Sequence, residues 1–415
     1  MNFILYAVPF FFVLIAVELL TERWRKVNTY RLSDSINSLS TGVLSTTTGL
    51  LTKGVGLMTY AFALDHLALL RLSPDSVWVW VFAFVLYDLC YYWLHRMGHE
   101  RNVLWAAHCV HHQSEDYNLS TALRQTSTGF LLSWIFYLPL ALVGVPLLVF
   151  ISVAALNLLY QFWVHTRHIP KLGWLEWVEW VFVTPSNHRA HHAQNAIYID
   201  RNYGGVFIVW DRLFGSFQEE LDSNPPIFGV TTPLASWNPL WANLQFYAQL
   251  AADARRTEQG WDKLRIWFMR TGWRPADVAA KYPTTQSDLS QFRKFEIPLS
   301  PSQQVYIALQ FVVHAALGSY LLNMGDSLSV PALVLGWVWV AFGLFVLGVA
   351  LENRPWAIKL ESARLALNIP LMGLAPMVGM WSVSSLGWVA LLTYVLLSAM
   401  GLYCARGHFI RLAGS

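Results

Sequence analysis

Histidines are the residues of this chain whose types and spacing could do chemistry. Ten of the thirteen fall into four tight clusters, which are His95 and His99; His108, His111 and His112; His165 and His168; and His188, His191 and His192. Residues three or four apart share a face of a helix, so each cluster can present its rings together. Neutral imidazole is a common ligand of zinc, copper and iron. The spacing therefore predicts a metal site built on helices.

The number of clustered histidines predicts two metal ions. Ten imidazoles exceed the needs of one ion, and structural zinc usually takes four ligands that include cysteines. The cysteines Cys90, Cys109 and Cys404 show no metal-ligand spacing. Because zinc is redox-inert, a nitrogen-rich site that uses O2 fits two iron ions better, with all ten clustered histidines as candidate ligands. The three histidines outside the clusters, which are His66, His314 and His408, are predicted to be packing residues.

Carboxylates near the clusters are candidates for orienting the ligands. A ligating imidazole usually donates its second N–H to a carboxylate, a carbonyl or water. The candidate site residues of this kind are Asp88, Glu100, Asp116, Asn118 and Asp211, with Asp200 as a further carboxylate. For each of them a capping or surface role is the competing interpretation.

The elements that must position these residues are predicted to lie in and on a membrane. Of the 415 residues, 55% are hydrophobic and 13% charged, and the mean hydropathy is +0.40. Spans are predicted over Phe3–Leu20, Gly42–Leu64, Val77–Leu94, Val305–Leu322, Val330–Ala350, Ala366–Trp381 and Leu386–Tyr403. The net charge of +3 argues against nucleic-acid binding. We expect an all-α, multispan integral membrane protein with a cytoplasmic helical cap that holds a histidine-rich di-metal site.

The topology follows from basic residues and from one interrupted apolar run. Phe130–Val164 contains Pro139, Gly144 and Pro146, which predicts a helical hairpin that enters and leaves on one side. The basic residues used for orientation are Arg23, Arg25 and Lys26 after the first span and Arg354, Lys359 and Arg364 between later ones. Basic flanks face the cytoplasm, so the histidine site is expected there, in a bacterial inner membrane or the endoplasmic reticulum.

Four segments are predicted along the chain. They are amino-terminal transmembrane helices (1–76), a histidine-cluster catalytic core (77–235), cytoplasmic or interfacial amphipathic helices (236–302) and carboxy-terminal transmembrane helices (303–415). Trp237–Trp273 mixes aromatic and basic residues, which is typical of helices on a membrane surface, while packing within a cytoplasmic cap remains the alternative.

The histidine motifs carry a family resemblance. H-x-x-x-H, H-x-x-H-H and a distant H-x-x-H-H in a multispan chain resemble the fatty acid hydroxylase (sterol desaturase) superfamily. The runs that resemble its alkylglycerol monooxygenase branch are HRMGHE (95–100), SEDYNLSTALRQ (114–125), TPSNHR (184–189), DRNYGG (200–205) and WDRLFGSF (210–217). The similarity is strong over about residues 80–235. His168 departs from the branch, in which an apolar or acidic residue commonly takes that position.

The resemblance implies a di-iron monooxygenase that hydroxylates the carbon beside an ether oxygen. The hemiacetal formed would break down to a fatty aldehyde and a glycerol derivative, with tetrahydrobiopterin as the reductant. The sequence shows no cytochrome b5-like segment and no glycine-rich nucleotide loop, so electrons are expected from an external donor or a bound pterin. The expected partners are a lipid from the bilayer and O2, and the oligomeric state is not predicted.

Two other functions remain open from the residues. A hydroxylase or desaturase of another lipid, such as a fatty acid or a sterol, would carry the same histidine clusters. A metal transporter or scaffold would instead need ionisable residues in mid-span. The predicted spans are nearly free of charge, with Asp88 and Glu352 near their ends, which disfavours transport.

Overall fold

The structure, a computed structural model, describes residues 3–378 and 384–411. The first ten helices are α1 (Phe3–Arg25), α2 (Leu32–Leu67), α3 (Val77–Glu100), α4 (Asn102–His112), α5 (Leu119–Ala122), α6 (Leu138–Val143), α7 (Leu147–Trp163), α8 (Glu176–Val181), α9 (Pro185–His191) and α10 (Val209–Leu213). They are followed by α11 (Pro239–Arg256), α12 (Gly260–Arg265), α13 (Ala276–Lys281), α14 (Pro301–Met324), α15 (Val330–Leu351), α16 (Ala357–Leu374) and α17 (Ser385–Arg411). Short 3-10 turns cover Gly129–Leu131, Ser133–Tyr137, Gly173–Leu175, Leu289–Gln291 and Ala375–Val378. In these described ranges the β-structure is limited to two isolated bridges, Phe182–Phe207 and Ala193–Phe228, so the all-α prediction is confirmed.

Within residues 3–378 and 384–411, four helices are long and apolar enough to cross a membrane. They are α3, α14, α15 and the Ser385–Arg406 part of α17, and each contains a predicted span. The chain is accordingly an integral membrane protein. The predicted span Ala366–Trp381 falls on α16 and the turn after it, and Trp381 lies outside the described residues.

The interrupted apolar run contains two shorter apolar helical segments, Ser133–Val143 and Leu147–Trp163. Gly144 ends the first of them with a φ of +97°, a left-handed backbone that favours glycine. A Cβ at this position would lie 2.0 Å from the carbonyl oxygen of Leu70. The turn that joins the two segments therefore depends on glycine for both its conformation and its close approach to a neighbouring loop.

The chain divides into two compact units. The first contains Met1–Arg31, Thr52–Leu234 and Asn243–Arg293, and the second contains Leu32–Leu51, Ala235–Ala242 and Lys294–Ser415. In the first unit α3 packs against α4, α6 and α7. Its core includes Tyr60, Ala83, Tyr87, Leu140 and Val149, which are all buried. This core holds the carboxyl-terminal end of α3, where the first histidines lie.

The second unit packs α14 to α17 and the start of α2 around an apolar core. Arg364 is buried among them, with 1% of its surface exposed. Its guanidinium is 2.6 Å from a carboxylate oxygen of Glu361 and donates to Oε1 of Gln310 at 2.8 Å. From the sequence, Arg364 is predicted to be a basic residue that flanks a membrane span on the cytoplasmic side. That interpretation is wrong for this residue, because its charge is neutralised inside the helical bundle.

Candidate metal centre

Four stretches of the first unit deliver histidines to one place. They are the carboxyl-terminal end of α3, helix α4, the residues after α7, and α9 with the residue that follows it. Only Arg101 lies between the end of α3 at Glu100 and the start of α4 at Asn102. The first two histidine-bearing stretches are therefore almost continuous. Helix α9 begins with Pro185 at its first position, and the side chain of Asn187 accepts the N–H of Thr184 at 3.0 Å. This capping arrangement fixes the start of the helix that carries the last histidine cluster.

Five histidines form the first group, which we name the five-histidine group. Its members are His95, His99, His108, His112 and His191, and the candidate ligand nitrogens lie within 4.8 Å of one another. Nε2 of His108 is 3.0 Å from Nε2 of His95 and 3.0 Å from Nε2 of His112. All of the rings except that of His108 are buried. The rings therefore converge on a small volume away from solvent.

Four histidines form the second group, the four-histidine group. Its members are His111, His165, His188 and His192, and their ligand nitrogens also lie within 4.8 Å of one another. Nε2 of His165 is 3.1 Å from that of His111 and 3.0 Å from that of His188. Nε2 of His192 is 3.1 Å from that of His188. Nine of the ten predicted ligands are thus brought together in two adjacent sets.

Each triplet of histidines is divided between the two groups. His108 and His112 of α4 join the five-histidine group, while His111 joins the four-histidine group. On α9 the division is reversed, because His188 and His192 join the four-histidine group and His191 joins the other. The centre therefore has an approximate exchange symmetry between α4 and α9.

Backbone carbonyls fix the orientation of four of the rings. Nδ1 is 2.7–2.8 Å from a backbone oxygen in the pairs His95–Tyr203, His191–Arg201, His111–Arg124 and His165–Gln161. A carbonyl oxygen can only accept, so Nδ1 carries the proton in each of these rings. The Nε2 atom of each ring is then a bare lone pair that faces the other histidines. This is the tautomer that a metal ligand needs.

The residues fit a pair of metal ions. Two cis ligands on an ion with metal–nitrogen bonds of about 2.1 Å lie about 3.0 Å apart, close to the separations seen here. Nε2 of His99 and Nε2 of His191 are buried and have no hydrogen-bond partner. Burying imidazole nitrogens without a partner costs free energy, and a bound cation removes that cost.

The electrostatics keep the rings outside the membrane span neutral. Burial lowers the pKa of His111 to about 4 and that of His191 to about 3. Burial first, and then the charge of the neighbouring His165 ring, lowers the pKa of His188 well below its usual range. Protons therefore do not compete with a cation for these nitrogens near neutral pH.

Two of the predicted carboxylates hold the loop that faces the histidines. Asp88, fully buried on α3, accepts from the N–H groups of Val206 and Phe207 at 2.8 and 2.9 Å. Asp211, also fully buried, accepts from the N–H groups of Tyr203 and Gly204, both at 2.7 Å. The expectation was that carboxylates would accept the second N–H of a ligand ring. In the structure the four oriented rings donate to carbonyls instead, and Asp88 and Asp211 position the backbone.

The remaining predicted carboxylates and the amide serve other contacts. Glu100 accepts from Nε of Arg96 at 2.8 Å. Asp116 is 2.8 Å from Nε of Arg31. Asn118 caps α5 by accepting the N–H of Ser120 at 3.0 Å, and its amide donates to the Thr29 carbonyl at 2.8 Å.

Asp200 is the carboxylate that comes nearest to a ligand ring. Its Oδ1 lies 3.8 Å from Nδ1 of His99, and half of its side chain is exposed.

His168 and His66, in the first unit, belong to neither histidine group. Nε2 of His168 is 4.0 Å from a Glu22 oxygen and has no hydrogen-bond partner. Nδ1 of His66 contacts the Phe62 carbonyl at 3.0 Å. His314 belongs to the second unit, and the side chain of His408 lies outside the described residues.

Sequence reasoning missed the groups that orient the rings. The carbonyls of Arg124, Gln161, Arg201 and Tyr203 do so, and every residue type carries a carbonyl. No residue pattern could have revealed them.

Nine imidazoles gathered at the end of an apolar helix form a nitrogen-only candidate metal centre in a membrane protein. A sequence profile of the fatty acid hydroxylase family matches residues 80–216, which contain all nine histidines. No solved structure matches this chain.

Three relatives cover most of the chain. An alkylglycerol monooxygenase of Danio rerio is 38% identical over 372 residues, which are 87% of this chain and 80% of the relative. The enzymes of the same name from Homo sapiens and Xenopus tropicalis are each 35% identical, over 86% and 87% of this chain and 80% of each relative. The chain belongs to the alkylglycerol monooxygenase family of the fatty acid hydroxylases. It is therefore an oxidoreductase, a membrane-bound lipid monooxygenase.

Proposed function

We propose that this chain is a di-iron enzyme that hydroxylates the ether-adjacent carbon of alkylglycerols. The observation that carries the proposal is the pair of histidine groups, whose Nε2 lone pairs converge on two neighbouring volumes. The substrate is taken from the names of the relatives. The five-histidine group and the four-histidine group would each hold one iron ion, and the two ions would supply the site at which O2 is activated.

The proposed reaction balances with two electrons. An ether-adjacent CH2 group, O2, two electrons and two protons give a hydroxylated carbon and one water. The hemiacetal then loses its carbon–oxygen bond to yield a fatty aldehyde and glycerol. When bound, the two irons supply the activation of O2. We propose tetrahydrobiopterin as the donor of the two electrons.

The chain's own residues hold the nitrogens, exclude water and keep one proton in place. The carbonyls of Tyr203 and Arg124 present His95 and His111 as neutral ligands. The hydroxyl of Tyr203 is buried without a partner, and burial raises its pKa. It therefore keeps its proton at neutral pH, beside the rings of His99 and His191.

A cavity lined by both polar and apolar side chains offers a place for the reductant. It has a volume of about 110 Å³ and is lined in part by Trp105, Gln113 and Gln245. The ring of Trp105 lies 5.1 Å from that of His99, measured between centroids. A planar donor in this cavity would be one aromatic side chain away from a ligand.

We also propose that the centre faces the cytoplasm. The guanidinium of Arg25, in the basic cluster after α1, donates to the His168 carbonyl at 2.9 Å. This contact supports the view that the basic cluster and the segment after α7 lie on one side of the membrane. Basic clusters that flank a span favour the cytoplasmic side.

The test is turnover by detergent-purified, iron-loaded protein supplied with O2, an alkylglycerol and tetrahydrobiopterin, with iron measured on the same sample. Fatty aldehyde that disappears in His111→Ala supports the proposal, and His66→Ala is the matched control. If protein with two irons forms no aldehyde, the substrate or the pterin is wrong. If the purified protein forms no aldehyde and binds no metal, the proposed di-iron centre is wrong.

A further inference from the structure

A second cavity of the first unit is distinct from the metal centre and is mainly apolar. Its volume is about 210 Å³. Its walls include Gly56, Leu57, Tyr60, Trp134, Tyr137 and Phe150, which come from α2, the 3-10 turn before α6, and α7. Thr52, Lys53 and Ser133 supply the polar side chains of the lining. A cavity of this composition favours an aliphatic occupant.

Aromatic contacts hold the wall of this cavity in shape. The rings of Tyr60 and Phe150 stack with centroids 4.1 Å apart. The Tyr60 hydroxyl donates to the Val145 carbonyl at 2.8 Å, so its polar end is satisfied inside the protein. The wall is therefore built without an unpaired tyrosine hydroxyl at this position.

Ring contacts along α3 lead from the wall of this cavity to the five-histidine group. The ring of Tyr137 stacks on that of Tyr87 with centroids 4.6 Å apart. One turn further along α3 is Tyr91, whose ring lies 5.3 Å from that of His95. Tyr87 and His95 are eight positions apart on α3, which corresponds to a rise of about 12 Å along the helix. That distance is within the reach of a lipid alkyl chain.

Another wall of the cavity is close in sequence to a residue that orients a ring of the four-histidine group. Phe130 and Ser133 line the cavity, and the chain that enters this wall comes from Arg124. The carbonyl of Arg124 is the one that orients His111. The segment that supplies Phe130 and Ser133 therefore lies a few residues along the chain from the carbonyl that orients His111.

We propose that this cavity holds the distal end of the substrate's alkyl chain while the reacting carbon lies at the histidines. The proposal rests on the proposed function, because it assumes a substrate with one long aliphatic chain. A substrate with its reacting carbon at the metal centre must place its tail in an apolar space that the centre does not provide. The cavity then sets the chain length that the enzyme prefers.

Filling the cavity is the first test. A Cβ at Gly56 would lie 3.6 Å from Cβ of Trp134, an ordinary contact, so a larger side chain there would occupy the cavity. Replacing a glycine inside a helix also favours the helix, so Gly56→Leu should fold. We expect kcat/KM to fall about tenfold or more for octadecylglycerol and to stay within about threefold for decylglycerol.

The matched control is Gly49→Leu on the same helix, where an added Cβ meets nothing within 4 Å. It should leave the ratio of the two substrates unchanged. Equal losses for both chain lengths in Gly56→Leu, or no loss for either, would overturn the proposal.

A readout that needs no turnover separates this proposal from the proposed function. An octadecylglycerol with a diazirine at the chain end is photolysed with the wild-type protein, and the labelled peptides are mapped. Labels within 52–60 and 130–150 that disappear in Gly56→Leu support the cavity, even if no aldehyde forms and the ether-cleaving function fails. Labels confined to other segments overturn the cavity assignment, even if aldehyde is produced.

Discussion

Asp211 is linked to the His95 ring through the backbone of Tyr203 without touching that ring. Its Oδ1 accepts the backbone N–H of Tyr203 at 2.7 Å, and the carbonyl of Tyr203 accepts from Nδ1 of His95 at 2.8 Å. Oδ1 also accepts from the Ser216 hydroxyl at 2.7 Å, and the carboxylate is fully buried. One buried carboxylate therefore sets the position of the peptide that orients His95.

Replacing Asp211 should loosen the five-histidine group. In Asp211→Asn one backbone N–H would face an amide N–H inside the protein, a cost of about 1–3 kcal/mol. We expect iron per chain to fall from two toward one, measured by metal analysis of purified protein. The exposed Asp222 gives the control, because Asp222→Asn should keep both ions. Full iron content in Asp211→Asn would show that the peptide holds its position without this carboxylate.

His165 and His168 should behave differently, although they are only three positions apart in the sequence. Nε2 of His165 lies 3.1 Å from that of His111, and His168 lies outside both groups. Both of these facing Nε2 atoms are lone pairs, because each Nδ1 donates to a carbonyl. We expect His165→Ala to lose iron and aldehyde formation and His168→Ala to keep both. If His168→Ala loses iron to the same extent, His168 is a ligand in the loaded enzyme.

The hydroxyl of Tyr203 should affect turnover without affecting metal binding. It is buried without a partner, and its ring lies 5.4 Å from that of His99. We expect Tyr203→Phe to keep its iron and its thermal midpoint and to lower kcat about tenfold or more, as expected for loss of a proton donor.

Tyr198→Phe is the matched control for that variant. Its hydroxyl donates to the Asn224 carbonyl at 2.7 Å, so its loss should lower the thermal midpoint and leave kcat unchanged. A Tyr203→Phe enzyme with wild-type kcat would exclude the hydroxyl from the reaction.

The metal-free protein should lose stability as pH falls below neutrality. Folding lowers the pKa of His111 to about 4 and that of His191 to about 3, from about 6.5 in an unfolded chain. Between these values the unfolded chain binds more protons than the folded chain. The contribution of these histidines to the free energy of unfolding is therefore complete above about pH 6.5 and is lost as pH falls toward 4. Seven histidines outside the span shift in this direction.

Two carboxyls outside the span, Asp200 and Asp211, act in the opposite direction, because burial raises the pKa of each. Burial raises the pKa of Asp211 to about 6, so its protonation favours the folded state between about pH 6 and 4. Seven histidines outweigh two carboxyls, and the thermal midpoint of metal-free protein should be lower at pH 5 than at pH 7.5. A midpoint that is constant over this range would contradict the assignment of neutral, buried rings.

Much of the fold could be predicted from residue type alone. Apolar runs located helices such as α3 and α14. A segment that crosses the hydrocarbon interior of a membrane must be a long apolar helix, and such a run is visible in the sequence itself. The position of Arg364 could not be predicted, because the sequence does not distinguish a basic residue that faces solvent beside a span from one that pairs with Glu361 inside the protein. That choice depends on which side chains another helix places nearby.

The sequence by itself determined the chemistry of the centre, since nine imidazoles at helical spacing can do little except bind metal. Only the tertiary structure decided which ring belongs to which group. His111 and His112 are neighbours in sequence, yet His111 joins His165 and His112 joins His95 and His99, partners that other elements supply. Only the tertiary structure placed the carbonyls of Tyr203 and Arg124 against the rings. A helix fixes angles among its own residues, whereas distances between elements depend on packing, which spacing along the chain does not encode.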